Sequence, residues 1–353
     1  MTPKAAKARV GQRFLAAFRE AGAVEVSPDV LLPADTLLDL YGEDIRARAY
    51  VTDDPLRGEV VLRPDFTVPI VRLHMQGGAE PARYCYLGEV FRKQDHGDTR
   101  PENPRDNEYL QAGFEVFARD REATDAEVFA LFHRLLAPLR LTAVMGDMGL
   151  LRDAVSALPM SAPRRDALLH HIWRPARFDR LLARFAAPGR VVSLAQDDAP
   201  WTGARSEAEM AARIARLDAE ATEAPLPEAA GASLRRLLAV AAPAPEALAQ
   251  LRALDLPGIG PAVERLTARI ALICAAGIDP ATLRFEASHG RRTMEYYDGM
   301  TFSFLAPGRP EWPPVASGGR YDLLTAQLGQ GATIPAVGAI VRPGLVAELE
   351  AAT

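Results

Sequence analysis

The sequence predicts an α+β protein, with an antiparallel strand pair as its organising element and a long helical insertion between two β-containing parts. Residues 83–118, RYCYLGEVFRKQDHGDTRPENPRDNEYLQAGFEVFA, hold two alternating segments around a polar loop, the pattern of paired strands joined by a long connection. Residues 149–280 are rich in alanine, leucine and arginine, and β character resumes at Thr282. The expected division is therefore a core over 1–148, a mainly helical insertion over 149–280, and the second part of the core over 281–353.

In the second segment of the pair, Leu110, Ala112, Phe114 and Val116 share one face and Tyr109, Gln111, Gly113 and Glu115 the other, because side chains alternate along a strand. The first set reads as core. The second puts an amide, a bare backbone position and a carboxylate in a row, as in a sheet floor that recognises a small polar ligand, with Gly113 allowing close approach. The competing reading is an ordinary solvent-facing strand surface.

The other elements follow in order. Val10, Phe14, Leu15 and Phe18 form one face of a helix over 4–21, which Gly22 stops. AVEVSPDVLLPAD, residues 23–35, reads as a short strand, a turn and an extended segment ending at Pro33. A hairpin then precedes VVLRPDFTVPIVR, where Pro64 and Asp65 mark a change from strand to helix and Asp65 and Thr67 are candidate caps. A helix from about 120 to 138 buries Val128, Leu131 and Leu135, and a strand follows over 141–145. Within the insertion, Ser206 and Glu209 form a capping box, and a helix bracketed by Pro261 and Gly277 buries Val263, Leu266, Ile270 and Ile273. After Thr282, Leu283 and Phe285 alternate before a loop through His289 and Arg292; MEYYDGMTFSFL then suggests a hairpin turning at Asp298-Gly299. A glycine-flanked arginine, a helix, a glycine-rich turn, a strand and a helix close the chain.

Composition narrows the function class. The 353 residues are 48% hydrophobic and 25% charged with a net charge of −5, so no bulk electrostatic drive toward nucleic acid exists. No apolar run reaches the ~20 residues of a membrane span, and the start lacks an apolar signal region, which predicts a cytoplasmic protein. Cys85 and Cys274 show no metal or redox spacing and read as buried thiols in a reducing compartment. The six histidines carry no metal signature.

Taken together, VLRPDFT, QAGFEVFA, MEYYDGMTF and SGGRYD resemble, in order, the motifs of class II aminoacyl-tRNA synthetases of the histidyl branch. The resemblance implies a mainly antiparallel sheet of six or seven strands with flanking helices, dimeric through the segment near Pro33. It further implies that Asp65, in place of a glutamate, and Thr67 hold the amino group of a histidine. Gln111 would take its amino or carboxylate end, Arg292 its carboxylate, and Glu115 with Tyr296 and Tyr297 its imidazole. The chemistry suits that ligand: a carboxylate accepts from one ring N–H, a phenol pairs the other nitrogen, and both need partners when buried.

The phosphate-binding parts of that family are altered. Arg92 is retained as a residual phosphate contact, but Gln94 replaces a glutamate and Asn107 an arginine, while Asp95, Asp98, Glu102 and Asp106 bring negative charge beside Arg100 and Arg105. At the last motif, Arg342-Pro343-Gly344-Leu345 stands where the family has GLER, and Leu345 cannot pair with a phosphate. Few residues follow, so no anticodon-binding domain and no tRNA reading are expected. This combination resembles the regulatory subunits of ATP phosphoribosyltransferase. It implies a non-catalytic chain without cofactor, metal or membrane. Its partner would be a short catalytic subunit that it activates, its effector histidine acting in feedback inhibition of histidine biosynthesis, and its assembly a dimer within a hetero-octamer. An active histidine-adenylating enzyme and a stand-alone histidine-sensing module remain as alternatives.

Overall fold

The computed structural model describes residues 4–34, 48–93, 107–189, 204–254, 256–291 and 296–352. Helix α1 (Lys4–Glu20) buries Val10, Phe14, Leu15 and Phe18, and the chain leaves it at Gly22 with φ +87°, a left-handed turn that glycine adopts without penalty. Strands β1 (Val24–Glu25) and β2 (Leu31–Pro33) follow, then the hairpin β3 (Tyr50–Asp54) and β4 (Gly58–Leu62). Asp54 closes the hairpin turn by accepting from the Leu56 and Arg57 amides at 2.8 and 3.1 Å.

Beyond α2 (Thr67–Met75), β5 (Ala82–Phe91) and β6 (Glu108–Phe117) pair antiparallel from Ala82 opposite Phe117 to Phe91 opposite Glu108. This is the strand pair expected from the alternation; its connecting loop, with Gln94, Asp95, His96, Asp98, Arg100, Glu102, Arg105 and Asp106, lies outside the described residues. Next come α3 (Arg121–Leu136), β7 (Thr142–Asp147), α4 (Met148–Ser156), α5 (Ala162–His170), α6 (Pro175–Ala186), α7 (Glu207–Thr222) and α8 (Glu228–Leu238). After β8 (Ala241–Pro243), α9 (Ala244–Arg252) and α10 (Gly260–Ala275), the chain completes its sheet with β9 (Arg284–Glu286), β10 (Met300–Leu305), β11 (Ala316–Arg320) and, beyond α11 (Asp322–Leu328), β12 (Ala336–Val341). Helix α12 (Pro343–Ala352) is last. The capping box at α7 is present as read, with Ser206 and Glu209 exchanging bonds.

Among the described residues the main sheet has nine strands in the order β1-β5-β6-β12-β11-β10-β7-β9-β8, antiparallel except for the β1–β5 and β7–β9 pairs. The expectation of six or seven strands falls short because runs of two or three residues, β1 at one edge and β9 and β8 at the other, join the ladder. A second antiparallel sheet runs β2-β4-β3. Strand β6 is interior, between β5 and β12. Its Ala112, Phe114 and Val116 pack into the larger core, where Phe18 lies 5.6 Å from Phe114 and 5.3 Å from Phe132 between ring centroids.

Several local expectations change. Asp298-Gly299 does not turn a hairpin: β10 starts at Met300 and residues 296–299 are irregular. The Asp298 carboxylate instead accepts from the Asp322 and Leu323 amides at the start of α11. Thr67 does not cap α2, whose N-cap position is Phe66 without a side-chain bond. Toward α2, Asp65 accepts from the Val68 amide over a long 3.4 Å. Pro343 begins α12, since its missing N–H is no loss in a first helical turn. Leu345 is buried in the main core.

A buried ionic network crosses the fold. Arg269 of α10, 3% exposed, donates to Asp125 of α3 and Asp147 at the end of β7, both at 2.7 Å. Arg320 of β11 donates to the other Asp125 oxygen and to Asp322, each at 2.9 Å. Among the described residues no helix is long and apolar enough to cross a membrane, and no His, Cys, Asp and Glu cluster fits a metal ion. Cys85 is buried and Cys274 half-buried, both free.

Candidate ligand-binding site

The polar face of β6 is covered, not solvated. Glu115 is 1% and Gln111 2% exposed, which rules out the solvent-facing reading. Around Glu115, hydroxyls converge from three elements. Thr67 Oγ1 at the start of α2 donates to Oε1 at 2.9 Å, and the Tyr321 hydroxyl, just beyond β11, donates to Oε2 at 2.6 Å. The Tyr86 hydroxyl of β5 lies 3.4 Å from Oε1 and accepts from Gln111 Nε2 at 3.2 Å. Burial pushes the Glu115 carboxyl up to about 7, and nearby Asp65 adds to the rise while the hydroxyl donors from Tyr321, Thr67 and Tyr86 oppose it.

Sheet register makes room for this cluster. Gly338 of β12 sits opposite Glu115, and a Cβ there would collide with Glu115 Oε2. Gly113 is opposite Tyr86, and a Cβ on it would enter the Tyr86 ring; the group that approaches this bare backbone is thus a tyrosine of the protein itself. Phe66 stacks on the Tyr86 ring at 4.1 Å between centroids. Because the obstruction at 338 is a buried carboxylate, Gly338→Ala is expected to destabilise the chain by ~1–3 kcal/mol, as overpacked cores do. Urea unfolding measures this, and an unchanged midpoint would mean Glu115 can move aside freely.

On the far side, the Tyr296 hydroxyl lies 3.4 Å from Asp65 Oδ2, and Asp65 is 2% exposed. The Tyr296 and Tyr297 rings meet edge to face at 5.1 Å, with Tyr321 6.0 Å from Tyr296. Burial, with Glu115 and Asp65 nearby, raises the Tyr297 phenol above its ordinary value. Its ring packs where a side chain at Gly319 would stand.

Asp65, Thr67, Gln111, Glu115, Tyr296 and Tyr297 are thus brought together, while Arg292 lies outside the described residues. They also contact one another. Tyr296 meets Asp65, and Glu115 is held by Thr67, Tyr86 and Tyr321. Sequence reading missed the two last tyrosines. Tyr86 was findable, since it alternates onto the face of β5 that meets Gly113. Tyr321 carries no local signal beyond its place after the glycine-flanked arginine.

Arg92 donates through Nε to the Pro64 carbonyl at 2.7 Å. Arg342 donates to the Pro314 carbonyl, with its guanidinium 5.7 Å from the Tyr109 ring centroid. Burial lowers the Arg342 pKa, Tyr109 works against that, and Arg92 reinforces it, so two cations lie within electrostatic reach of each other.

This sheet, with its carboxylate ringed by hydroxyls, defines a histidyl-tRNA synthetase-like class II fold. The family model described as histidyl-tRNA synthetase matches residues 2–215 and 185–343. The fold superimposes on the crystal structure of an ATP phosphoribosyltransferase regulatory subunit/histidyl-tRNA synthetase from Bacillus halodurans C with a TM-score of 0.71, at 20% identity, covering 99% of this chain and 80% of that one. Among curated relatives, the ATP phosphoribosyltransferase regulatory subunit of Mesorhizobium japonicum is 34% identical over 357 residues, 92% of each chain. That of Allorhizobium ampelinum is 32% identical over 354 residues, 91% of this chain and 92% of the relative. The chain belongs to the family of ATP phosphoribosyltransferase regulatory subunits.

Proposed function

We propose that this chain is the non-catalytic regulatory subunit of ATP phosphoribosyltransferase in histidine biosynthesis. It activates a short catalytic subunit in the cytoplasm, as a dimer within a hetero-octamer, and it binds histidine for feedback inhibition. Asp65, Thr67, Gln111, Glu115, Tyr296 and Tyr297 form the effector site, with Arg292 on the ligand carboxylate. The observation that carries the histidine assignment is Glu115, a carboxyl 1% exposed and held by the Thr67 and Tyr321 hydroxyls, which offers an entering ring N–H a buried acceptor. Packing of Leu345 in the core, where the synthetase pattern has a phosphate-binding arginine, supports a chain that no longer activates amino acids. Arg92 is a residual anion contact.

Feedback requires histidine to bind the inhibited assembly better than the active one, by ~1–3 kcal/mol for coupling of this kind. The deciding measurement is the phosphoribosyltransferase rate of a matching short catalytic subunit alone, with this chain, and with histidine added. Activation by the chain and its reversal by histidine are the expected results. No effect on a competent catalytic subunit, or histidine-dependent exchange of pyrophosphate into ATP by this chain alone, would overturn the proposal.

A further inference from the structure

One turn of the helical region holds the segment that carries the tyrosine pair at both ends. Between α5 and α6, Ile172 offers its carbonyl to Arg291 Nε at 3.0 Å, and the next residue, Trp173, donates its indole N–H to the Tyr297 carbonyl at 3.1 Å. The Arg291 guanidinium, 5% exposed as a residue, lies 4.7 Å from the ring centroid of Phe178 on α6. Two adjacent residues therefore grip the chain before residue 292 and after residue 295. Residues on either side of 292–295 are also bonded to other elements. Both His289 ring nitrogens bond hydroxyls of β10, Thr301 at 2.9 Å and Ser303 at 3.1 Å, and Asp298 is tied to the start of α11. The β10 side is anchored in the sheet, whereas the Ile172–Trp173 turn is continuous with α5 and α6.

We infer that Trp173 and Ile172 are positioning residues for Tyr296 and Tyr297, and that through them ligand at the site is coupled to the packing of α5 and α6. The inference rests on the histidine-pocket reading and names the element that responds to occupancy. A ligand that engages Tyr297 acts on a residue whose carbonyl Trp173 holds, and linkage makes such a coupling reciprocal: altering the turn alters ligand affinity by the same factor. A neutral hydrogen bond of this type corresponds to roughly a fivefold effect on binding.

The test uses the full chain labelled with 5-fluorotryptophan, with histidine binding followed by calorimetry and by 19F NMR. Trp173→Phe, which keeps an aromatic ring but removes the N–H, assigns the resonance. In the unsubstituted chain the Trp173 resonance is expected to shift with histidine at the calorimetric Kd. Trp173→Phe is expected to bind histidine about fivefold more weakly. Arg291→Lys, which keeps a cationic donor for the Ile172 carbonyl, should retain more affinity than Arg291→Met, a rescue that loss of packing alone would not produce. If the unsubstituted chain binds no histidine, the pocket reading fails and this inference with it. If it binds, but the Trp173 resonance stays still and Trp173→Phe binds with full affinity, the positioning role alone is overturned.

Discussion

Replacing Arg269 by methionine is expected to destabilise the chain by ~3–5 kcal/mol, the loss seen when one partner of a buried ion pair is removed. Arg269 serves two carboxylates at once, Asp125 and Asp147, and Asp125 has no measurable exposure. Without the guanidinium, Asp125 still has Arg320, but among the described residues Asp147 retains only the Gly149 amide at 2.7 Å. The penalty therefore falls mainly on Asp147, so adding Asp147→Asn should recover part of the loss, as coupled sites do not add. Urea unfolding of the single and double variants measures both effects. A single-variant change below ~1 kcal/mol would show that water reaches these carboxylates. The network ties α10 to α3 and to the strand end at Asp147, so Arg269→Met should also uncouple the unfolding of the helical region from that of the sheet.

Glu115→Gln is expected to act in opposite directions on stability and binding. Glu115 titrates at about 7 in the folded chain against an ordinary value of 4.5. As pH rises from 4.5 the unfolded chain gives up its proton first, so the native state loses stability through that window; above about pH 7 the full penalty, ~3 kcal/mol, is in place. Glutamine removes the titration and can still accept from Thr67 or Tyr321. The variant should thus gain up to ~3 kcal/mol over the parent at pH 8 and little at pH 4.5, the trade expected where a binding group is kept at the expense of the fold. Histidine affinity should fall by roughly 10- to 100-fold, the worth of a charged hydrogen bond. Denaturation curves across pH, with calorimetry at pH 8, check both arms. Stability that stays parallel to the parent at every pH would remove the buried-carboxylate argument, and unchanged affinity would remove Glu115 from the ligand.

Alternation along residues 108–117 was enough to separate Phe114 from Glu115 onto opposite faces, because strand periodicity is a property of the backbone. Helical spacing likewise placed Val10, Phe14 and Phe18 in the core, and the ordered motifs brought Asp65, Thr67, Gln111, Glu115 and the tyrosine pair into one expected site. Local chemistry misled where a nearer partner existed in space. Asp298-Gly299 has the residues of a tight turn, yet Asp298 sits beside the start of α11 and caps it. Thr67 has the hydroxyl of a helix cap, yet a buried carboxylate lies 2.9 Å away and accepts its hydrogen bond.

What the sequence by itself determined about this protein is therefore the face on which each residue lies. Only the tertiary structure decided the partners: Tyr321 on Glu115 across 206 positions, Trp173 on Tyr297 across 124, Arg269 between two aspartates. The physical reason is that periodicity is written in neighbouring residues, whereas a hydrogen bond between distant elements depends on register, strand order and helix packing that no local pattern encodes.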